Sequence, residues 1–292
     1  MREVIEAFQT AIQEVYGPHD LIPAADGNIH RFDVPGDKPG RRNGWYVLHV
    51  SGIAFGAFGS WNHGDSHAWS SRAPTNQRET ARLRQQIEQA RRQRDVEQQR
   101  RQQQTAAYAR RLWRDARRAD PEHPYLVAKG CRSHGLRQKG DLLLIPLSRD
   151  KALVNLQRIG PDGSKRFLSG GLIKGCCSTL GIVANGRPLY LCEGWATGAT
   201  LHEHSGAAVA CAMNAGNLLP AGEALRKQHP DAVLILAGDD DRLTTGNPGR
   251  TAATIAAARL NCGLIFPPWR GDEALELSDF NDLQQWLKGV SS

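Results

Sequence analysis

Several acidic residues in the last third of the chain directly follow an apolar run or lie at the start of a predicted helix. Glu193 follows the run LYLC, and Asp239 follows VLILAG. Asp279 and Asp282 lie in SDFNDL, at the start of the last predicted helix. Carboxylates gathered from such places repel one another unless a cation lies between them. Mg²⁺ binds carboxylate and phosphate oxygens, so the pattern favours a metal-dependent reaction on a phosphate-bearing substrate.

The three consecutive aspartates after VLILAG are separated by the alternation of side chains along an extended segment. Asp239 and Asp241 are expected to point to one side of the chain, and Asp240 to the other. Taken alone, this DxD pattern is also typical of aspartates in turns and at helix N-caps. Its combination with Glu193 and with the later pair Asp279 and Asp282 favours the metal site.

Alternating strands and helices from about residue 182 predict how these carboxylates are positioned. The predicted strands are PLYLCE, AAVACAM, AVLILAGDDD and GLIFPP, and the predicted helices cover 194–204, 221–228, 250–260 and 280–288. This order predicts a mostly parallel sheet with helices on both faces. The carboxyl ends of parallel strands share one edge, and ligands bind beyond that edge.

A basic segment, residues 119–181, precedes the alternating part. Two apolar strands, LLLIPL and ALVNLQRI, are joined by a short turn at Arg149–Asp150, and a GPDG turn precedes residues 164–168. Basic side chains accompany these strands: Lys129, Arg132, Arg137, Lys139, Arg158, Lys165, Arg166 and Lys174. They are either phosphate contacts or ordinary surface residues.

The two N-terminal segments have distinct compositions. In residues 1–75, a helix over about 2–16 is followed by the alternating stretches IHRFDV, GWYVLHV and IAFGAFGSW, which predict a small antiparallel sheet. Its aromatic residues are either the core of this sheet or partly outward-facing surfaces for stacked bases. These aromatic residues are Phe32, Trp45, Tyr46, Phe55, Phe58, Trp61 and Trp69. Residues 76–118 lack Gly and Pro and predict one long helix, either a solvated connector or an arginine face that follows phosphates.

Charge and composition restrict the class of protein. The net charge is +7, and residues 77–118 alone contain thirteen arginines against five acidic residues, so the remainder is about −1. Apolar residues make up 40% of the chain and no apolar run approaches the ~18–20 residues of a membrane span. The amphipathic N-terminus does not resemble a signal peptide, and we expect a cytoplasmic protein without membrane contact. The six cysteines are irregularly spaced without a CxxC pair, so no zinc site is expected.

These motifs together resemble a known family. LYLCEGWATGATL is similar to the first Toprim motif, LAGDDDRLTTGNPGRTAA to the DxD motif, and SDFNDL to the third acidic motif. Upstream, YLVAKG, LLLIPL, QRIGPDGSKRFLSGG and LIKG resemble the polymerase core of bacterial DnaG-type primases. The resemblance is greatest to the Toprim primases of phages and mobile elements such as plasmids, which carry a segment like GWYVLHVSGIAFGAFGSW.

The resemblance implies an α/β fold: a Toprim domain (Rossmann-like, with a mostly parallel sheet), an α+β primase-core subdomain and a small antiparallel β domain at the N-terminus. The implied domains are 1–75, 76–118, 119–181 and 182–292. The implied activity is synthesis of short primers on single-stranded DNA from nucleoside triphosphates, with Mg²⁺ or Mn²⁺ as the cofactor. The carried-over catalytic residues are Glu193, Asp239 and Asp241, with Asp279 as a further metal ligand and Asp282 less well matched. The carried-over residues for nucleotide or template are Lys129, Arg158, Lys165 and Lys174.

The sequence departs from the family pattern at two points. DnaG-type primases begin with a cysteine-rich zinc ribbon, whereas this chain has no cysteine before Cys131. It also contains no GxxxxGK[ST] phosphate loop, so a replicative helicase is expected to act as a separate partner. Two other functions stay open: a Toprim nuclease, and a catalytically silent single-strand-binding module of a replication complex.

Overall fold

The chain forms two compact units, Met1–Glu97 and Gln98–Ser292. The computed structural model describes residues 1–37, 40, 42–60 and 65–290, with the side chains of residues 93, 94 and 97 left out. A long helix, α2 (Gln77–Asp115), begins in the first unit and ends in the second. The finer division of the chain into four domains stays a prediction.

In the first unit, one helix packs on a four-stranded antiparallel sheet of order β1-β2-β3-β4. The elements are α1 (Arg2–Tyr16), β1 (His30–Phe32), β2 (Gly44–His49), β3 (Phe55–Ser60) and β4 (His67–Ser70). Phe8, Ile12 and Tyr16 of α1 are buried, and their spacing of four residues places them on one side of the helix. The predicted helix and the predicted antiparallel sheet are confirmed.

The aromatic residues of this sheet mostly build its core. Phe32, Tyr46 and Phe58 are buried in one cluster with Phe8, and Trp69 packs against that cluster. Phe55 is buried, and Trp45 is half-buried. Trp61 lies outside the described residues. Core packing is therefore the role of most of these aromatic side chains.

Helix α2 is a single helix, as predicted, but its C-terminal part is more than a solvated connector. Ala106 and Ala109 are buried, and Leu112 packs against Leu144 and Leu156 of the second unit's antiparallel sheet. Neither α2 nor another helix in the described part of the chain is long and apolar enough to cross a membrane. The small alanine side chains let the helix lie close to the sheet.

The first sheet of the second unit is antiparallel, five-stranded and ordered β5-β6-β7-β8-β9. Its elements are β5 (Arg117–Arg118), β6 (Arg137–Lys139), β7 (Leu142–Arg149), β8 (Ala152–Ile159) and β9 (Lys165–Phe167), with the short helix α3 (Pro124–Lys129) before β6. The β7–β8 turn is Asp150–Lys151, one residue later than predicted, and both residues have positive φ. That conformation matches a two-residue hairpin turn that follows the twist of its strands.

The two faces of this sheet contact different parts of the second unit. Leu144 and Leu156 face α2, whereas Leu143 and Ile159 join a core shared with the second sheet. Successive residues of a strand point to opposite faces, so the odd-numbered residues of β7 face the second sheet and the even-numbered residues face α2. The antiparallel sheet therefore lies between α2 and the domain that carries the acidic motifs.

The second sheet of this unit has the order β10-β12-β11-β13-β14 and is parallel except for β10 at its edge. Its strands are β10 (Ser178–Leu180), β11 (Pro188–Cys192), β12 (Ala208–Cys211), β13 (Val233–Ala237) and β14 (Gly263–Ile265). The mostly parallel sheet is confirmed. β10 precedes the predicted start of this domain at residue 182 and was not predicted as a strand.

Helices cover both faces of the parallel sheet. They are α4 (Trp195–Ser205), α5 (Leu218–Gln228), α6 (Pro248–Leu260) and α7 (Phe280–Val290), with a short 3₁₀-helix, Ala215–Asn217, before α5. Residues of α4 pack with Cys192 and Cys211 in the core shared with the antiparallel sheet. Residues of α5 and α6 pack with Leu191 on the other face. This arrangement places the carboxyl ends of β11 and β13 at one edge.

The contact between α4 and the sheet is close enough to require glycine. A Cβ atom at Gly198 would overlap the Sγ of Cys211 and lie 3.2 Å from the Sγ of Cys192. Gly198→Ala is expected to lower the free energy of unfolding by about 1–3 kcal/mol, because the core must shift to admit the methyl group. Urea denaturation followed by circular dichroism measures this change.

Gly289→Ala is the matched control, because Gly289 also lies in a helix, α7, but has no atom within 4 Å of the added methyl. This variant is expected to keep or gain stability, by up to about 1 kcal/mol, since alanine favours the helix. Equal stability of the two variants would contradict the close contact at Gly198.

Candidate active site

Glu193 and Asp239 come together because their strands are neighbours in the parallel sheet. β11 pairs with β13 in a register that sets Cys192 opposite Ala237. Glu193 and Gly238 then leave the sheet at the same edge, and Asp239 follows directly. The backbone of Glu193 is held by the next strand, since its carbonyl accepts a hydrogen bond from the Met213 N–H at 2.7 Å.

Asp239 lies at the centre of the acidic cluster. Burial raises its pKa to about 8, and the charges of Asp279, Glu193, Asp241 and Asp282 act in the same direction. Its Oδ1 atom is buried and has no hydrogen-bond partner in the described part of the chain. Burial, and next the charge of Asp241, also raises the pKa of Glu193. Burial and mutual repulsion thus disfavour the ionised forms of these carboxyls.

Asp241 is fixed by the start of helix α6. Its Oδ2 accepts a hydrogen bond from the Gly249 N–H at 2.8 Å, and its own N–H donates to the Asn247 Oδ1 at 2.8 Å. A Cβ atom at Gly249 would lie 2.8 Å from the Asp241 Oδ2 and 3.0 Å from the Asp239 Cβ. Glycine at this position therefore lets the helix backbone approach both aspartates of the DxD pair.

Asp240 points away from the cluster, as the alternation of side chains predicts. Its carboxylate accepts hydrogen bonds from Arg250 at 2.8 and 3.0 Å, from the Trp269 Nε1 at 3.1 Å and from the Asn247 Nδ2 at 2.6 Å. The Arg250 hydrogen bond is the largest of the effects that lower the pKa of Asp240 to about 2. Asp240 is thus an ionised structural residue that ties the DxD loop to α6.

Asp279 reaches the same cluster from the start of α7. Its Oδ2 accepts a hydrogen bond from the Thr197 hydroxyl at 3.0 Å, and its Oδ1 accepts one from the Asp282 N–H at 2.8 Å. Burial raises the pKa of Asp279, and the charge of Asp282 adds to the effect. Asp282 lies farther out and forms an ion pair with the Lys129 Nζ at 3.4 Å. Lys129 is therefore at the border of the cluster, beside its outer carboxylate.

Lys165 and Arg158 lie on opposite faces of the antiparallel sheet. Lys165 is paired with Ile159 and shares its face, which is turned towards the parallel sheet. Its charge acts on Glu193, and its Nζ lies 5.8 Å from the ring centroid of Tyr125. Arg158 is opposite Leu144 on the face that packs against α2. Of these two predicted basic contacts, the structure brings only Lys165 close to the carboxylates.

Lys174 is exposed, in a loop that is anchored near Glu193 by a buried asparagine. Asn217 accepts a hydrogen bond from the Gly175 N–H at 2.7 Å and donates to the carbonyls of Cys176 and Ala212 at 2.9 and 2.8 Å. Ala215, two residues earlier, donates its backbone N–H to Glu193. The Lys174 loop and the Glu193 carboxyl are therefore held by the same short 3₁₀-helix.

Sequence reasoning did not identify Thr197, Asn217, Gly249 or Asn281 as parts of the site. Asn281 is fully buried and donates to the Lys129 carbonyl at 2.8 Å and to the Thr200 hydroxyl at 2.9 Å. Thr197, Gly249 and Asn281 lie within the three acidic motifs. Their position inside these motifs was the one sequence feature that could have identified them. Asn217 had none, because a single asparagine is common in loops.

The donors of this cluster fit a hard divalent cation. Mg²⁺ binds through one or two protein carboxylates together with water and phosphate oxygens. The unpartnered Oδ1 of Asp239 and the raised carboxyl pKa values are both features that a bound cation would compensate. Among the described side chains, no three His, Cys, Asp or Glu residues are grouped so as to hold a metal by themselves.

The charge imbalance predicts opposite effects of two neighbouring substitutions on stability. In a buffer with EDTA at pH 7, Asp239→Asn is expected to raise the free energy of unfolding by at least about 1 kcal/mol, the equivalent of one pKa unit, because asparagine, unlike the carboxyl with its raised pKa, need not take up a proton when it is buried in the cluster. Asp240→Asn is expected to lower it by about 1–3 kcal/mol, because Arg250 loses its ionised partner. Urea denaturation measures both changes.

Added MgCl₂ provides the control, since a ligand that binds only the folded state raises stability. Wild type and Asp240→Asn are expected to gain stability with Mg²⁺, whereas Asp239→Asn is not. A destabilised Asp239→Asn variant in EDTA would contradict the repulsion described for the cluster.

Comparisons with known proteins agree with this geometry. The chain is 34% identical to a DNA primase TraC of Escherichia coli over an alignment of 268 residues that covers 87% of this chain and 25% of that protein. A second DNA primase TraC of Escherichia coli is 34% identical over an alignment of 257 residues that covers 84% of this chain and 18% of that protein. The chain thus spans about a quarter or less of the length of these relatives.

A partial structural overlap exists with a chain of a solved assembly, the bacteriophage T7 lagging-strand DNA polymerase interacting with primase domains bound to an RNA/DNA hybrid and dTTP. The TM-score is 0.39 and the identity 16%, over 56% of this chain and 85% of that one. A family model described as the Toprim domain matches residues 188–286, which include Glu193, Asp239, Asp241 and Asp279. This part of the chain, with its parallel sheet and the acidic cluster at the sheet edge, therefore belongs to the Toprim domain family.

Proposed function

We propose that the chain synthesises short primers on single-stranded DNA by nucleotidyl transfer. The observation that carries the proposal is the cluster of Glu193, Asp239 and Asp241 at the carboxyl edge of a Toprim sheet. The similarity to proteins named DNA primase, over most of this chain, supports primer synthesis rather than cleavage. The same proposal places the protein in the cytoplasm with its template, and a replicative helicase, as a separate partner, would expose that strand.

In this proposal, Asp239 and Asp241 hold Mg²⁺ or Mn²⁺, with Asp279 in support and Glu193 beside them. The cation supplies positive charge between the carboxylates and the triphosphate of the incoming nucleotide. The protein orients the 3′-hydroxyl of one nucleotide towards the α-phosphate of the next, and pyrophosphate leaves. Positioning and electrostatic stabilisation provide most of the rate enhancement in such transfers.

Basic side chains around the cluster bind the substrate's phosphates in this proposal. The charge of Lys165 acts on Glu193. Lys174 lies in a loop that is anchored to the 3₁₀-helix Ala215–Asn217, which also binds Glu193. Lys129 forms an ion pair with Asp282 at the border of the cluster, where its ammonium group can also contact a phosphate. Their charges offset the repulsion between a triphosphate and the carboxylates.

The proposal predicts that the three carboxylates are required for synthesis. Glu193→Gln, Asp239→Asn and Asp241→Asn are each expected to reduce the rate at least about 10²-fold, because each removes charge from the site where the transition state is stabilised. The assay is incubation with single-stranded template, Mg²⁺ and labelled ribo- or deoxynucleoside triphosphates, with gel analysis of both template and product.

Glu223→Gln is the matched control, because Glu223 is an exposed carboxylate on α5 outside the cluster. It should retain the wild-type rate. Wild-type synthesis by any of the three cluster variants would refute the site. A shortened template would indicate the nuclease, and an unchanged template without product would indicate the silent binding module.

Lys165 is expected to act on the nucleotide rather than on the fold. Lys165→Ala should lower kcat/KM for the nucleoside triphosphate by about 10- to 100-fold, the range for loss of a hydrogen bond to a charged group. Lys227→Ala, at an exposed position of α5, is the matched control and should keep the wild-type value. Steady-state kinetics measures both variants, and an unchanged kcat/KM for Lys165→Ala would contradict the role given to this lysine.

A further inference from the structure

Four arginines occupy one row across the antiparallel sheet, on the face opposite to the acidic cluster. The pairing sets Arg118 opposite Arg137, Arg137 opposite Leu144, Leu144 opposite Arg158, and Arg158 opposite Arg166. Residues directly opposite each other in antiparallel strands share a face. Leu144 is in the core with α2, so the whole row lies on the α2 side of the sheet.

Like charges directly opposite each other on neighbouring strands destabilise a sheet. Arg137 is committed to the end of α2, where its guanidinium donates to the carbonyls of Trp113 and Arg114 at 2.7 and 3.0 Å. Arg158 and Arg166 take part in none of the ion pairs between described residues, and the buried Nε of Arg158 has no hydrogen-bond partner among them. Among the described residues, the Arg158–Arg166 part of the row therefore has no ion-pair partner that would offset its repulsion.

The acidic residues beside this row contribute little to its neutralisation. Asp162, in the turn before β9, has a lowered pKa chiefly through its hydrogen bond with Ser164, and Arg166 contributes least among the causes. On the preceding helix, Asp115 is paired with Arg114. Neither carboxylate neutralises the Arg158–Arg166 pair.

Helix α2 carries further arginines on the side that points away from the sheet. Residues 100–118 contain seven arginines and a single acidic residue. Arg100 and Arg111 are exposed and lie eleven residues apart, which is three helical turns and therefore one side of the helix. Tyr108 is 46% exposed, and the Arg111 guanidinium lies 5.5 Å from its ring centroid. Such a pair offers both a stacking surface for an unpaired base and a charge for a phosphate.

We propose that this surface, the arginine face (Arg100, Tyr108, Arg111, Arg118, Arg158 and Arg166), binds single-stranded DNA outside the catalytic site. The sheet separates it from the carboxylates, so it holds a stretch of strand that is not being copied. Arg158 thereby contacts template phosphates without contributing to the transfer of nucleotides. The identity of the ligand rests on the proposed function, whereas the location of the binding surface does not.

The experiment measures binding of fluorescein-labelled oligo(dT) by fluorescence anisotropy, in EDTA and without nucleotides, across a range of NaCl concentrations. The variants are Arg158→Gln/Arg166→Gln on the sheet and Arg100→Gln/Arg111→Gln on the helix. Each pair is expected to raise Kd roughly tenfold at about 0.1 M salt and to reduce the slope of log K against log[salt] by about 1.4, the value for two lost phosphate contacts.

Arg187→Gln/Arg259→Gln is the matched control, since it removes the same charge from exposed positions of the Toprim domain. It should retain the wild-type Kd and slope. Circular dichroism establishes that each variant is folded. If the sheet variant does not fold, the helix variant still tests the proposal. A folded variant of either pair with the wild-type Kd and slope would overturn the proposal for that element, and wild-type values in both would overturn it entirely.

Duplex DNA and phospholipid vesicles are two further ligands, which test whether the arginine face prefers single-stranded DNA to other polyanions. A larger loss of affinity for duplex DNA, or for vesicles containing phosphatidylserine, than for oligo(dT) would overturn the assignment to single strands. Failure of wild type to make primers would refute the proposed function and leave the binding result standing, so the two failures are distinguishable.

Discussion

Repulsion among buried carboxyls is the constraint on which the rest of the second unit depends. Asp239 lies in the middle of these groups, and neither its burial nor its neighbours favour the ionised form. Such a site persists only where surrounding structure holds it in place. Here the parallel pairing of β11 and β13 supplies the frame, and the close packing of α4 at Gly198 and of α6 at Gly249 fixes the distance of each helix from it.

The same frame explains why three adjacent aspartates have different roles. Asp239 faces the cluster, Asp241 binds the backbone of Gly249, and Asp240 binds Arg250. The ionised Asp240 adds favourable hydrogen bonds one residue away from Asp239, whose ionisation is disfavoured by burial. Stabilising and destabilising groups thus alternate along one extended segment, and the alternation of a strand is enough to separate them.

Much of this arrangement could be predicted from patterns that repeat within a few residues. The strands, helices and strand-end carboxylates of the Toprim domain were predictable because apolar runs and acidic residues alternate regularly. β10 was not, since it has three residues and becomes a strand only by pairing with β12. The packing of α2 on the sheet was also missed, because alanines such as Ala109 look neutral in sequence and act through close contact.

Site residues that act across the chain were the hardest to predict. Asn217 joins the Lys174 loop to the end of β12, and its contacts lie up to 42 residues away. Lys165 and Arg158 looked equivalent as basic residues on strands. Their separation depends on the register of β8 and β9, because a shift by one residue exchanges the faces. The sequence contains the charges, and only the pairing decides which of them meet the carboxylates.

That register also gives the antiparallel sheet two electrostatic sides within one layer. On one side, Lys165 approaches several carboxyls. On the other, Arg158 and Arg166 face each other, and no described residue forms an ion pair with either of them. A substrate that brings both phosphates and a divalent cation suits the first side, whereas an anion alone suits the second. A nucleic acid strand long enough to contact both would reduce the repulsion on each. The two sides are therefore suited to different parts of the same polyanion.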